Sequence, residues 1–316
     1  MKNKTIVFVE KGITEIQEKE MPICQHDTIL LKTIFSGMTN GTERNVLMGG
    51  NYNNTGFPCS LGYQNVSCVV ECGADITKFK MDDVVFTGTF SGHTEYHLAK
   101  EDDLSLIVSE GYDLQEAALF GVASVPFHDA RRASVNPFDK VAVFGAGLIG
   151  QFAAQAARIS GAHVTVVDID EKRLSLAKEL GADDIINIGY EKDKQKLFEK
   201  RPFNVIFECS GANVLPQIIG TYWGNGLIGF RGRILMIAGR ESVEYNFNSA
   251  QATELAIMHA GHFDKEDLQE VGRLYQKGAI KIRPLINEIV PINDAVKYYD
   301  KLRDTPNELL GIVFEW

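Results

Sequence analysis

Short β-branched runs broken by Gly, Asn and Pro fill the first hundred or so residues, and helix and strand alternate from about Leu114 onward. A glycine-rich turn follows the buried apolar run at 141–144. These observations predict an α/β protein in which a doubly wound parallel sheet is joined to a second, β-rich lobe of barrel type. The length agrees, because 316 residues exceed what one hydrophobic core usually organises. One large α/β barrel is the alternative.

In the first lobe the strand-like runs are 5–10, 28–33, 67–72, 84–86 and 94–98. Residues 114–133 read as a helical stretch interrupted at Pro126, since proline lacks the N–H and crowds the preceding turn. Apolar runs then set strands at 141–144, 163–167, 184–188, 205–207 and 234–238, with helices opening at Leu148 and Glu171. The tail carries an amphipathic stretch at 265–277 ended by Gly278, a strand-like run at 285–290, a helix at 293–302 and a strand at 312–314. The expected lobes are 1–118 with 264–316, and 119–263. No internal repeat or low-complexity segment interrupts this order.

The composition, 45% hydrophobic and 23% charged, is that of a folded soluble domain. Thirty-two basic against 42 acidic residues give a net charge of -10 without a dense Lys/Arg run, so neither nucleic acid nor an anionic membrane is an expected partner. The apolar run Ile6-Val7-Phe8-Val9 stops at Glu10, too short for a signal-peptide core or a membrane span, and the chain reads as cytoplasmic. Five cysteines, Cys24, Cys59, Cys68, Cys72 and Cys209, contain no Cys-x-x-Cys pair and read as reduced thiols. Strand alternation puts Cys68 and Cys72 on one face as small core residues.

The motif that carries chemistry is Lys140-Val141-Ala142-Val143-Phe144-Gly145-Ala146-Gly147-Leu148-Ile149-Gly150, a strand running into a G-x-G-x-x-G turn that opens a helix. Gly145 suits the tight turn, Gly147 lets the backbone approach a pyrophosphate, and Gly150 allows close packing of helix on strand. The helix start at Leu148 and Ile149 presents N–H groups to phosphates. A second strand ends in Asp168, roughly 20 residues past the turn, where a carboxylate accepts both adenosine ribose hydroxyls and repels a 2′-phosphate. The cofactor expected is therefore NAD, with Arg173 in the following helix counted in the same set. Two later strand ends, Ser210-Gly211 and Ala238-Gly239, should line the same crevice, or their glycines simply permit tight turns. The opposing reading is a glycine turn and a capping Asp in a sheet protein that binds no nucleotide.

A β-rich N-terminal lobe, a central nucleotide fold and a return segment together resemble the medium-chain dehydrogenase/reductase superfamily of zinc alcohol dehydrogenases, polyol dehydrogenases and quinone reductases. The resemblance spans essentially the whole chain. Beyond the glycine turn it rests on Ser36-Gly37-Met38-Thr39-Asn40-Gly41-Thr42-Glu43, Leu61-Gly62-Tyr63-Gln64-Asn65, Gly92-His93-Thr94-Glu95-Tyr96 and Gly181-Ala182-Asp183. It implies a GroES-like barrel for the first lobe and a Rossmann sheet for the second. Within the superfamily the S-G-x-x-x-G-T-E-R pattern of Ser36–Arg44 is similar to a branch holding bacteriochlorophyllide hydroxyethyl dehydrogenase and sugar-linked proteins.

The departures from that pattern concern the metal. Zinc-dependent members offer a Cys before Gly-Thr-Asp and read Gly-His-Glu in the second motif; this chain has Asn40, or Thr39 if the gap falls differently, and Tyr63-Gln64. The place of a third ligand falls at Phe120, and the four-Cys structural zinc lobe is missing. None of these replacements is a usual zinc ligand, so no metal is expected.

Without zinc, an alcohol oxidation needs a proton acceptor and donors for the developing alkoxide. Tyr63 is read as a donor to that oxygen, as an acid/base if its pKa is depressed, or as an amphipathic core residue. Thr42 resembles the family's proton-relay hydroxyl or serves a turn. Glu43 sits where the family keeps an acid near zinc, or forms an ion pair with Arg44. His93, in a loop facing the expected cleft, is a base titrating near neutrality or a structural His. Ser124 is placed near nicotinamide, and His128 reads as a packing residue on a helix surface made polar by Asp129 and Arg131.

The function expected is a zinc-independent NAD(H) oxidoreductase interconverting a secondary alcohol and ketone on a small molecule of polyol, cyclitol or sugar-like type. A zinc-free C=C or quinone reductase and a non-catalytic NAD-binding sensor are the alternatives. The resemblance implies a homodimer or higher homo-oligomer through sheet-edge pairing around residues 255–259.

Overall fold

The computed structural model describes residues 2–108, 111–222, 224–259 and 261–316. It divides into two compact units, Met1–Val122 with Leu268–Trp316, and Ala123–Asp267. The first begins with an antiparallel pair, β1 (Lys2–Glu10) and β2 (Ile13–Glu20). It continues through β3 (Ile29–Gly37), α1 (Asn40–Leu47), β4 (Asn65–Cys72), β5 (Val84–Thr87), β6 (Tyr96–Ala99), β7 (Leu104–Ile107) and α2 (Leu114–Ala117). Asp113 starts α2 because its carboxylate accepts from the N–H groups of Gln115 and Glu116, two donors the helix itself cannot satisfy.

Helix α3 (Phe120–Arg132) leads into the second unit, which alternates β8 (Lys140–Phe144), α4 (Leu148–Ile159), β9 (His163–Asp168), α5 (Glu171–Glu179), β10 (Asp184–Asn187), α6 (Glu191–Lys200), β11 (Phe203–Glu208), α7 (Leu215–Ile219), β12 (Ile228–Met236), α8 (Phe247–Ala252) and β13 (Ala256–His259). The six strands are parallel in the order β10-β9-β8-β11-β12-β13. Strand order therefore reverses between β8 and β11, and ligands on such sheets sit beyond the carboxyl ends at that point. Both faces are apolar: Val141, Val143, Val205 and Phe207 join one buried cluster, while Ala142, Phe144 and Ile206 join the other. That is why these strands read as continuous apolar runs.

The return segment, α9 (Lys265–Gln276), β14 (Ile286–Pro291), α10 (Ala295–Asp304) and β15 (Gly311–Glu315), completes the first unit. Its seven-stranded sheet runs β14-β15-β3-β4-β5-β7, with β6 also paired to β3. Ile6, Phe8, Leu47, Tyr299, Leu302, Ile312 and Phe314 form one core, and Ile29, Leu31, Val69 and Val85 a second.

Three local expectations are corrected. The helical stretch 114–133 breaks at Ala118–Leu119 and not at Pro126, which lies inside α3. Phe120 to Val125 are all buried, and that packing outweighs the proline penalty of about 3 kcal/mol. Cys68 and Cys72 lie on opposite faces of β4. Lys32 pairs with Cys68 and Leu31 with Val69, but Leu30 then pairs with Glu71, so Val70 is an extra residue and the bulge turns Cys72 into the Val69 core. No element was expected at 40–47, 13–20 or 191–200, where α1, β2 and α6 form; β2 and α6 are rich in charge with little apolar periodicity.

Candidate functional site

In the second unit the glycine turn has the mechanics its spacing demands. Gly145 has φ +94°, and a Cβ there would lie 2.8 Å from the Ser210 backbone. A Cβ on Gly150 would lie 1.8 Å from the Gly145 carbonyl oxygen, so helix α4 approaches β8 only because this residue is glycine. Gly147 is open: the nearest atom to its hypothetical Cβ is the Arg173 guanidinium nitrogen at 3.9 Å. It caps α4 without a side-chain hydrogen bond, so the helix start at Leu148 and Ile149 has backbone donors alone to offer an anion.

Asp168, at the end of β9, is held by three backbone donors: the Ala146 N–H on one oxygen, and those of Ile169 at 2.6 Å and Asp170 at 2.9 Å on the other. A carboxylate offers about four acceptor positions, so the half-exposed group keeps capacity for a ligand hydroxyl. Ser210 and Gly211 follow β11, and Ala238 and Gly239 follow β12. Glu208, fully buried at the end of β11, accepts from the Ser210 N–H at 2.9 Å, the Ser210 hydroxyl and the Gly211 N–H at 3.2 Å. Its other oxygen pairs with Arg240. The residues present fit a dinucleotide: an open glycine, an uncapped helix start, an oriented carboxylate and two strand-end loops.

In the first unit a buried polar network surrounds Glu43, which is 1% exposed. One carboxylate oxygen accepts from the Thr39 N–H at 2.6 Å and meets His93 Nε2 at 3.2 Å; the other accepts from the Tyr299 hydroxyl at 2.6 Å. His93 Nδ1 lies 2.8 Å from Ser36 Oγ, which also accepts from the Trp316 indole at 2.9 Å. Both nitrogens of this fully buried ring are engaged. Burial pushes the Tyr299 phenol well above 10, with the Glu43 charge adding to it.

Beside this network Tyr63 is hydrogen bonded to the Thr39 side chain. Burial raises its phenol to about 12, with the Thr39 hydrogen bond opposing and the Glu43 charge reinforcing the rise. Thr39 Oγ1 also accepts from Gln64 Nε2 at 3.1 Å, and the Gln64 carbonyl takes the Val122 N–H at 2.7 Å. Phe90, 64% exposed, packs at 5.2 Å on the Tyr63 ring.

Several readings change accordingly. Asn40 turns its amide to the Leu310 carbonyl at 2.8 Å, whereas the Thr39 side chain is hydrogen bonded to Tyr63 and Gln64. Glu43 and Arg44 make no ion pair: Arg44 donates to the carbonyls of Leu302 and Arg303. Tyr63 has a raised pKa, which leaves it a donor near neutrality and removes the depressed-pKa alternative. His93 is buried, Ser124 is fully buried at the start of the second unit, and Thr42 is half-buried on α1. Asp129 is fully buried and adds nothing to a polar surface. His128 bonds Asp267 at 2.7 Å, in a group with Asp264 that Arg131 also bridges.

Zinc is what the family pattern implies here, and the donor chemistry does not fit it. Thr39, Tyr63 and the fully buried Phe120, whose ring packs on Phe86, Tyr112 and Tyr275, supply no thiolate, imidazole or carboxylate. Sequence reasoning missed Ser36, Tyr299 and Trp316 as members of the network. Tyr299 is separated from Glu43 by 256 positions, and no spacing signals that contact.

One unit carries a reversing parallel sheet with a glycine turn and an oriented strand-end acid, and the other is built largely on antiparallel strands, which together define an α/β protein with a dinucleotide-type sheet. Residues 149–277 match the family described as zinc-binding dehydrogenase. The chain is 26% identical over 353 residues to an uncharacterized zinc-type alcohol dehydrogenase-like protein of Escherichia coli K12, covering 93% of this chain and 100% of that one. It is 25% identical over 340 residues to sorbitol dehydrogenase 1 of Saccharomyces cerevisiae, covering 94% of each. An alcohol dehydrogenase of Escherichia coli CFT073, solved with NADH, superposes with a TM-score of 0.87 at 18% identity over 100% of this chain and 99% of that one. The chain is thus similar over nearly its whole length to zinc-type alcohol dehydrogenase-like and sorbitol dehydrogenase proteins, which are oxidoreductases.

Proposed function

We propose that this chain is a zinc-independent NAD(H) oxidoreductase that interconverts a secondary alcohol and a ketone on a polyol, cyclitol or sugar-like substrate. The observation that supports the reading is the Tyr63–Thr39 hydrogen bond, formed by two hydroxyls at positions where the resemblance implies metal ligands. In the reductive direction Tyr63, protonated near neutrality, hydrogen bonds to the ketone oxygen and gives it the proton as hydride reaches the carbon, leaving the alcohol. Glu43 holds the Thr39 backbone, His93 holds Glu43 in turn, and Thr42 lies on the same helix as Glu43. Nicotinamide supplies the hydride chemistry when bound. Asp168 supports NAD over NADP, because its charge repels a 2′-phosphate. The substrate class rests on similarity to a sorbitol dehydrogenase. A homodimer through β13, which pairs on one side with β12, belongs to the same proposal.

The test is a screen of polyols, cyclitols and sugar acids for NAD⁺ reduction by protein purified without chelator, with its metal content measured. Turnover that survives chelation in zinc-free protein is expected. Stoichiometric zinc, or activity lost on chelation and restored by Zn²⁺, would refute metal independence. Tight NADH binding with no substrate ever exchanging a hydride would favour a sensor.

A further inference from the structure

Glu208 and Arg240 form a charge pair that the glycine-turn motif does not include. Glu208 is fully buried at the carboxyl end of β11. Taking a carboxylate out of water costs several kcal/mol unless it is paired and hydrogen bonded. Here one oxygen is spent on the Ser210 and Gly211 N–H groups and the Ser210 hydroxyl, and the other on Arg240. The Arg240 side chain, 15% exposed, also donates to the Ala238 carbonyl at 3.2 Å and the Ala212 carbonyl at 3.3 Å. One guanidinium thus ties the loop after β12 to the loop after β11. That second loop lies against the glycine turn, since a Cβ on Gly145 would strike Ser210.

The position of this pair gives it a chemical consequence. A dinucleotide lies across the point where strand order reverses, one nucleotide on each half of the sheet. Asp168 stands on the β9 side and takes the adenosine half, which leaves the β11–β12 loops to the nicotinamide half. Nicotinamide is cationic in NAD⁺ and neutral in NADH, so a fixed charge at those strand ends acts on one form and not on the other. With Glu208 and Arg240 paired, the local charge is near zero.

We propose that the Glu208–Arg240 pair sets the relative affinity for the oxidised and reduced cofactor, by neutralising a buried anion at the nicotinamide end. The inference rests on the NAD(H) reading above and assigns these two residues as positioning residues within it. Removing Arg240 leaves an anion that favours NAD⁺. Removing the Glu208 charge leaves a cation that disfavours it.

The experiment is fluorescence titration of NADH and calorimetric titration of NAD⁺ on wild type, Arg240→Met, Glu208→Gln and the double variant. A unit charge at about 10 Å under an effective dielectric of about 20 shifts binding of a cation roughly 10-fold. The ratio Kd(NAD⁺)/Kd(NADH) should therefore fall about 10-fold in Arg240→Met, rise in Glu208→Gln, and return toward wild type in the double variant. Arg240→Lys should rescue the ratio more than the absolute affinity, because lysine restores charge without the guanidinium fork. A loss that is equal for both cofactor forms in every variant would mean the pair only braces the loops, and overturns the proposal. So would a shift of the same sign in both single variants. Wild type that binds neither cofactor form would instead sink the NAD(H) reading, and this inference with it.

Discussion

Asp129→Asn should make the protein more stable above pH 6 while changing little near pH 4. The Asp129 side chain is fully buried in α3, and neither carboxylate oxygen has a hydrogen-bond partner. Burial raises its pKa from 3.8 to about 6; the nearby His128 and Arg132 charges oppose the rise, and Asp267 adds to it. Arg132, at 3.6 Å, compensates only in part. At 1.36 kcal/mol per pH unit, this rise is worth about 3 kcal/mol. The folded state holds the proton more tightly than the unfolded chain. The favourable contribution is therefore complete below about pH 3.8 and lost as pH rises through about 6. Asparagine has the same shape and no charge to desolvate. Urea unfolding of both proteins between pH 4 and pH 8 should show the variant's advantage growing by about 3 kcal/mol and levelling off above about pH 7. Two stability profiles that stay parallel within about 0.5 kcal/mol would show that the carboxylate is solvated or paired, and refute the reasoning. The Cys209 thiol gives a second readout. Its pKa is pushed up by burial and also by the Asp129 charge, so the variant should ionise this thiol more readily.

Three further outcomes can be checked. Asp168→Ser should weaken NADH by roughly 1.5 to 3 kcal/mol and narrow its advantage over NADPH, measured by titrating both; equal wild-type affinities for the two would refute the assignment. Tyr63→Phe should lower turnover on any substrate found by about 10²- to 10⁴-fold without weakening NADH, and unchanged turnover would remove Tyr63 from the chemistry. Gly150→Ala should cost about 3 kcal/mol or more by chemical denaturation and weaken NADH, because the Gly145 carbonyl lies where the methyl must go; a variant of wild-type stability would contradict that contact.

The parallel sheet was legible because its strands are buried on both faces, and burial on two sides writes itself as an unbroken apolar run such as Val141–Phe144. The glycine turn was legible for a similar reason: each glycine answers a local constraint, and Asp168 stands one strand away in sequence as well as in space. The absence of zinc-ligand chemistry at Tyr63 and Phe120 also followed from residue identity alone. Tertiary structure decided what depends on distant partners. Thr39 and not Asn40 faces Tyr63 because the Leu310 carbonyl, far along the chain, accepts the asparagine amide. Glu43 turned from its neighbour Arg44 toward Tyr299 and His93, and the extra residue in β4 reversed the face of Cys72. Arg240 met Glu208 only because β11 and β12 are adjacent in the sheet. Local patterns record which surfaces are buried and how tightly the backbone turns. They do not record which polar group, brought from elsewhere in the chain, will satisfy a buried charge.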